Sequence, residues 1–252
     1  MLKTRIMPTL LYRDLGLVKG EGFDPWRRVG GAMQAVKVYN MREVDELVFM
    51  DITATKDGRP PDFDLIDDLA DDCFMPLTVG GGVRHEDDVR GLLKVGADKV
   101  ALNSAVVEDP EVIRRCASRF GSQCIVVSID ARLEEDGSHR VYTHSGGRET
   151  GYDPVSLARL AESHGAGEIL LTSIDRDGRM TGYDIALIAS VSAAVTIPVV
   201  ASGGCGEYAH MAEALAEGGA SAVAAASIFH FTEKTPAEAK SFLAGQGFPV
   251  RR

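Results

Sequence analysis

A chain of 252 residues, 45% hydrophobic and 25% charged, holds material for one large core, and α/β barrels commonly run to about 250 residues as one unit. With 27 basic against 37 acidic residues the formal charge is −10, which argues against general binding of nucleic acid or an anionic membrane; an anionic ligand must be held by local groups. No apolar run approaches the roughly 18 residues of a membrane span.

The opening MLKTRIMPTLLYRD lacks the apolar core and small-residue cleavage site of a signal peptide. Four scattered cysteines (Cys73, Cys116, Cys124, Cys205) show no CxxC pair, and no histidine sits at ligand spacing. The expectation is a cytoplasmic protein with reduced thiols, no metal and no cofactor.

In chain order, short β-branched runs at 5–11, 46–52, 76–80, 98–102, 123–129, 167–172, 197–201 and 221–225 predict strands. Between them, segments such as DFDLIDDLADDCF, HEDDVRGLLKVG, DPEVIRRCASRFG and DPVSLARLAESHGAG space their apolar residues by three and four and predict helices. Strand–helix units with short connections imply a parallel sheet covered on both faces. Eight of them predict an α/β fold of the closed (β/α)8 type, one domain over 1–252.

The chain also repeats itself. ELVFMDI at 46–52 matches EILLTSI at 168–174, and PLTVGGG at 76–82 matches PVVASGG at 198–204, both 122 residues apart. ALNSA at 101–105 matches AAASI at 224–228, and IMPTLL at 6–11 matches IVVSID at 125–130. Register held across four strand pairs predicts two similar half-barrels, about 1–122 and 123–252. It also sets Leu11 equivalent to Asp130, both at the C-terminal end of a strand, where such barrels carry their active sites.

Chemistry-bearing residues gather at those strand ends. Gly80-Gly81-Gly82 and Gly203-Gly204 free backbone N–H groups to approach an anion, with Asn103-Ser104 and Ala226-Ser227 adding donors beside each cluster. Tight strand-to-helix turns would need such glycines too; two clusters related by the repeat favour two phosphate cradles and an elongated, doubly phosphorylated ligand. Asp130 is a candidate general acid or base, or a carboxylate capping the next loop. Asp175 and Asp177 follow the sixth strand, and Asp177-Gly178 also reads as a plain turn. Lys19, in the long loop after the first strand, can fold over an anion or stand in solvent. At the strand starts, Arg5, Glu46, Lys99 and Glu168 form either a salt-bridged barrel floor or a polar gate on the axis.

PLTVGGGVR, LNSA, FGSQCIVVSIDA, GAGEILLTSIDRDG, GYD and PVVASGG together resemble the cyclase subunit of imidazole glycerol phosphate synthase, the HisF family, over nearly the whole chain. The resemblance implies a lyase of histidine biosynthesis that receives ammonia from a glutaminase subunit (HisH-like) on the N-terminal face, near Asp98 and Lys99. It implies that Arg5, Glu46, Lys99 and Glu168 gate the ammonia passage. Gly82, Asn103 and Ser104 then match one phosphate site, Asp177, Gly178, Gly204 and Ser227 the other, Lys19 the substrate loop, and Asp130 one of two catalytic aspartates.

The second aspartate belongs at position 11, and TLLYRDLG places leucine there in register, so Asp14 is no displaced substitute. Leucine cannot transfer a proton, and loss of a positioned acid–base group costs roughly 100- to 10,000-fold in rate. TLLYRDLGLVKG and GGASAVAAASIF are similar to a paralogue subgroup, the glycosyl amidation-associated proteins of surface-polysaccharide clusters, in which ammonia is passed toward sugar amidation by a further protein, a sugar amidotransferase. The sequence reading therefore favours that subgroup. A working histidine-pathway cyclase and a non-catalytic scaffold for the glutaminase stand as alternatives.

Overall fold

The computed structural model describes residues 3–42 and 44–251; residues 1, 2, 43 and 252, which the expected domain bounds include, lie outside the described residues. The described residues form twelve strands and ten α-helices. The first third holds β1 (Arg5–Arg13), β2 (Gly16–Lys19), β3 (Arg27–Gly30), α1 (Ala32–Met41), β4 (Leu47–Asp51), α2 (Phe63–Asp71), β5 (Leu77–Gly80) and α3 (Glu86–Lys94). Next come β6 (Lys99–Leu102), α4 (Ser104–Glu108), α5 (Glu111–Phe120), β7 (Ile125–Leu133), β8 (His139–Thr143), β9 (Arg148–Glu149) and α6 (Pro154–Ser163). The chain closes with β10 (Glu168–Ser173), α7 (Ile185–Ser192), β11 (Val199–Ser202), α8 (Tyr208–Ala216), β12 (Ala222–Ala225), α9 (Ser227–Phe231) and α10 (Pro236–Gly245).

Eight strands pair in parallel around a ring, β1-β4-β5-β6-β7-β10-β11-β12, and β12 returns to β1 through Arg5↔Ala222 and Ile6↔Val223. This is the expected (β/α)8 barrel, and each predicted strand overlaps one of the eight. Helix starts are fixed locally. The Asp62, Asp153 and Asp184 side chains accept from the N–H of Leu65, Ser156 and Leu187, and Thr235 and Glu238 form a capping box at α10.

The period of two along each strand sorts side chains between two cores. On β1, Ile6 and Leu10 face the helices, while Met7 joins an axial cluster with Val48, Ala101, Val126, Leu170, Val200, Ala222 and Ala224. The same phase carries the functional positions: Arg5, Met7, Thr9 and Leu11 run up one strand, and Glu168, Leu170 and Thr172 up another.

Four short strands were not predicted. β2 folds back antiparallel on β1, and β8 folds back on β7, so each half-barrel carries a cap over the mouth. The signal was available in the repeat, but β2 and β3 are short and their Gly- and Arg-rich sequence reads as loop. Among the described residues no helix is long and apolar enough to cross a membrane.

Candidate functional site

At the strand starts, the barrel is closed by a ring of four charges. Arg5 Nη1 donates to Glu46 at 2.7 Å and Arg5 Nη2 to Glu168; Lys99 Nζ donates to Glu46 at 2.9 Å and to Glu168 at 2.8 Å. Thr78 adds a hydroxyl donor to Glu46 at 2.7 Å. Glu46 and Glu168 are buried, so two carboxylates and two cations alternate around the axis with their charges satisfied inside the ring. Burial opposes the charge on Arg5, but the glutamates outweigh it and hold the guanidinium pKa above its ordinary value. Burial likewise opposes the Glu168 carboxylate, and Arg5 and Lys99 together pull its pKa below the usual range. Asp98, beside Lys99, is an exposed residue whose carboxylate accepts from the Leu77 N–H at 2.8 Å.

Above that ring lies the apolar axial layer, and above the layer a pocket of about 1160 Å³ counted to its open rim. Of the residues predicted at the mouth, Leu11, Lys19, Gly82, Asn103, Ser104, Asp130, Asp177, Gly178, Gly204 and Ser227 line it, whereas Gly80 and Asp175 do not. The structure brings the two Gly-rich turns and the two Asn/Ser or Ala/Ser turns into one cavity.

At the first turn, Gly82 sits at φ 73°, and a Cβ there would fall 2.7 Å from the Arg59 carbonyl oxygen. Asn103 Nδ2 donates to the Ser128 carbonyl at 3.0 Å and to Asp130 Oδ2 at 3.2 Å. Ser104 donates to Asn103 Oδ1 at 3.2 Å. At the second turn, Gly204 has φ 110°, and a Cβ would lie 2.1 Å from the Gly182 carbonyl oxygen. The Ser227 hydroxyl is buried and has no protein partner, as is the Thr9 hydroxyl lower in the pocket. A buried hydroxyl without a partner is costly unless a ligand or water satisfies it.

Asp130 stands between the two turns. Burial, and next the charge of Asp177, push its carboxyl up to about 7 against the opposing hydrogen bonds from Asn103 and Thr172. A group poised there exchanges a proton at neutral pH, which a loop-capping carboxylate does not need to do. Lys19 and Asp177 form a buried ion pair at 2.5 Å. Asp177, expected among the anion-binding groups, thus offers its carboxylate to Lys19. Asp175 accepts from the Leu133 N–H at 2.7 Å, which accounts for its carboxylate locally.

Leu11 enters this pocket in the place the repeat assigns it. Leu11 pairs with Met50 on β4, and Asp130 pairs with Thr172 on β10, so the internal repeat, which sets β1 against β7 and β4 against β10, carries one pair onto the other. Asp14 is exposed, at φ 54° in the turn between β1 and β2, and is absent from the pocket lining. Met50 stands next to Leu11 across the β1–β4 pairing, and Ile52, Phe23 and Trp26 add apolar side chains to the same pocket.

Several lining residues were not foreseen. Thr9, Met50, Ser128 and Thr172 follow from counting inward along the predicted strands in steps of two. Phe23, Trp26, His144 and Ser145 come from the two caps, whose folding over the mouth carries no local signature. His144 and Ser145 are both left-handed, at φ 54° and 53°, and such non-glycine conformations cost roughly 1–3 kcal/mol each. The Ser145 hydroxyl holds the turn across the mouth by donating to the Ile52 carbonyl at 2.6 Å.

The comparisons agree with this geometry. The model of the family described as "Histidine biosynthesis protein" matches residues 5–235. The chain is also 53% identical over 251 residues to the "Imidazole glycerol phosphate synthase subunit HisF" of Hyphomonas neptunium, an alignment spanning 100% of this chain and 99% of that protein. With a barrel of this kind, two glycine-rich turns at its mouth and this likeness over its full length, the chain belongs to the histidine biosynthesis protein family, in its HisF branch.

Proposed function

We propose that this chain is the cyclase-type subunit of a glutamine-dependent imidazole glycerol phosphate synthase. In this reading a glutaminase docks on the face bearing Asp98 and Lys99 and releases ammonia into the barrel axis. The carrying observation is that one axis links a closed ring of charges to a pocket with two glycine-rich turns. Ammonia is small and neutral, so the apolar layer between them is no electrostatic barrier, and the ring's ion pairs need only part locally to admit it. Two phosphates on the Gly82/Asn103/Ser104 and Gly178/Gly204/Ser227 turns would stretch a ligand across Asp130, whose near-neutral carboxyl can move a proton at either stage.

The relative's name supports this histidine-pathway reading over delivery of ammonia for sugar amidation, toward which the sequence reading leaned. One observation keeps the second reading in play: the pocket holds leucine where the symmetric position holds Asp130. A site with one proton-transferring carboxylate suits passing ammonia onward to another protein's acceptor.

The purified chain, given ammonium salts and the histidine-pathway bisphosphate intermediate, separates the two. Expected is cyclisation about 100- to 10,000-fold below that of a site with both carboxylates, raised by Leu11→Asp. No cyclisation by either protein overturns the cyclase reading and favours the second.

A further inference from the structure

We propose that His144 is the cationic arm of the anion site formed by Gly82, Asn103 and Ser104, binding a dianionic phosphoryl group through Nε2. The inference rests on the reading of that turn as an anion cradle and adds the charge the cradle lacks.

The pocket's charges pose the problem. Its lining includes Lys19 and the carboxylates Asp51, Asp130 and Asp177, with no arginine. Lys19 is committed to Asp177. A doubly phosphorylated ligand would thus meet a wall whose formal charge is negative and whose other donors are neutral N–H and O–H groups. His144 is the remaining residue of the lining whose side chain can carry a positive charge.

Its surroundings set the tautomer. Thr143 Oγ1 donates to the Arg148 carbonyl at 3.4 Å, so its lone pairs face His144 Nδ1, 3.1 Å away. Nδ1 then carries the hydrogen, and Nε2 of the neutral ring carries a lone pair. No hydrogen bond to Nε2 is formed among the described residues. An arriving anion gives Nε2 a reason to take up a proton and donate it as N–H.

The position is also fixed. The His144 backbone N–H donates to Ser104 Oγ at 3.3 Å, and Ser104 in turn donates to Asn103. The β8–β9 turn is therefore tied to the cradle it would complete, in a left-handed conformation held from across the mouth by Ser145 and Ile52. The charged groups around the ring are accounted for. Arg132 stacks on Tyr142 and donates to the Gly146 carbonyl at 3.3 Å, Lys56 packs beside Gly147 and is exposed, and Arg148 is exposed on β9. Asp51 is held by Thr53, Ala54 and Arg59, and Asp130 by Asn103. None of the three cations lines the pocket.

Inorganic sulfate is the probe, because it stays dianionic from pH 6 to 8 while phosphate titrates. Binding is followed by the amide signals of Gly82 and Ser104 and by the ring nitrogens of His144, assigned by their loss in His144→Gln. Expected is sulfate binding at least tenfold tighter at pH 6 than at pH 8, with Nε2 protonated in the bound state. By linkage, sulfate favours the protonated ring by the same factor. That pH dependence should survive in Asp130→Asn, which removes the other group titrating in this range, and vanish when His144→Gln is added to it, a double variant that binds weakly at both pH values. Sulfate that moves the Gly82 and Ser104 signals with equal affinity in the wild type and His144→Gln overturns the role of His144 and leaves the cradle standing. Sulfate that moves neither signal in the wild type overturns the cradle and the proposal together.

Discussion

Lys19 and Asp177, 158 residues apart in the chain, meet in a buried ion pair at 2.5 Å, and this pair ties the end of β2 to the loop after β10. Burial works against both charges, and Asp177 has its pKa raised by that burial even though Lys19 pulls it down. Lys19→Met should leave an uncompensated carboxyl and destabilise the fold by about 3 kcal/mol. Lys19→Met combined with Asp177→Asn should recover part of that loss. Denaturant unfolding of the two single variants and the pair measures the coupling; additive losses would mean that the contact contributes nothing of its own.

Asp130 gives a stability signature independent of any substrate. Its folded pKa, about 7, lies above the ordinary 3.8, so between these values the folded chain binds more protons than the unfolded one. Stability contributed by the protonated carboxyl is therefore present at acid pH and lost as pH rises toward 7. Asp130→Asn should abolish this slope and be more stable than the wild type above pH 7, by roughly 2–4 kcal/mol at about 1.36 per unit. Unfolding at pH 5 and pH 8 checks the sign.

The ring at the strand starts has the opposite slope. Glu168 is held below its usual range despite burial, so its contribution is full above the ordinary glutamate pKa and is lost as pH falls through the depressed value. Glu168→Gln should be destabilised at neutral pH and should lose less stability than the wild type on acidification. Melting temperatures from pH 7 down to pH 3 report both effects. Equal acid slopes would show that the ring leaves this carboxyl unperturbed.

Gly204→Ala tests the second turn by geometry alone. The added methyl would lie 2.1 Å from the Gly182 carbonyl oxygen, backbone that cannot swing aside, at a φ of 110° that alanine rarely adopts. The expected outcome is destabilisation of more than about 2 kcal/mol, with anion binding lost at this turn and kept at Gly82. Gly245→Ala, where the methyl meets open space, is the control and should be neutral. Calorimetry on both variants separates strain from a general intolerance of substitution.

Much of this architecture was legible because the sequence states each strand twice. Short β-branched runs located the eight ring strands, and the repeat then related the two glycine-rich turns and set Leu11 equivalent to Asp130, all of which depend on register. The ring of Arg5, Glu46, Lys99 and Glu168 was also visible, since each lies at a strand start. What stayed hidden depends on how loops fold back. Trp26 and His144 reach the pocket only because β2 and β8 reverse over the mouth. The binding of Asp177 to Lys19 was hidden for the same reason: a loop lysine is solvated or buried according to where its loop lands.

The shared strand phase described for β1 and β10 limits how this barrel can change. Charge ring, apolar layer and mouth lie on one inward line of alternate residues, so inserting or deleting a single residue between them turns one end of that line outward. A change of length that keeps this line intact must therefore fall in a helix or a connection, while change along the line itself must proceed by exchange of side chains in place. The leucine at position 11 is a change of that permitted kind: it alters what the pocket can do while every neighbouring strand keeps its register.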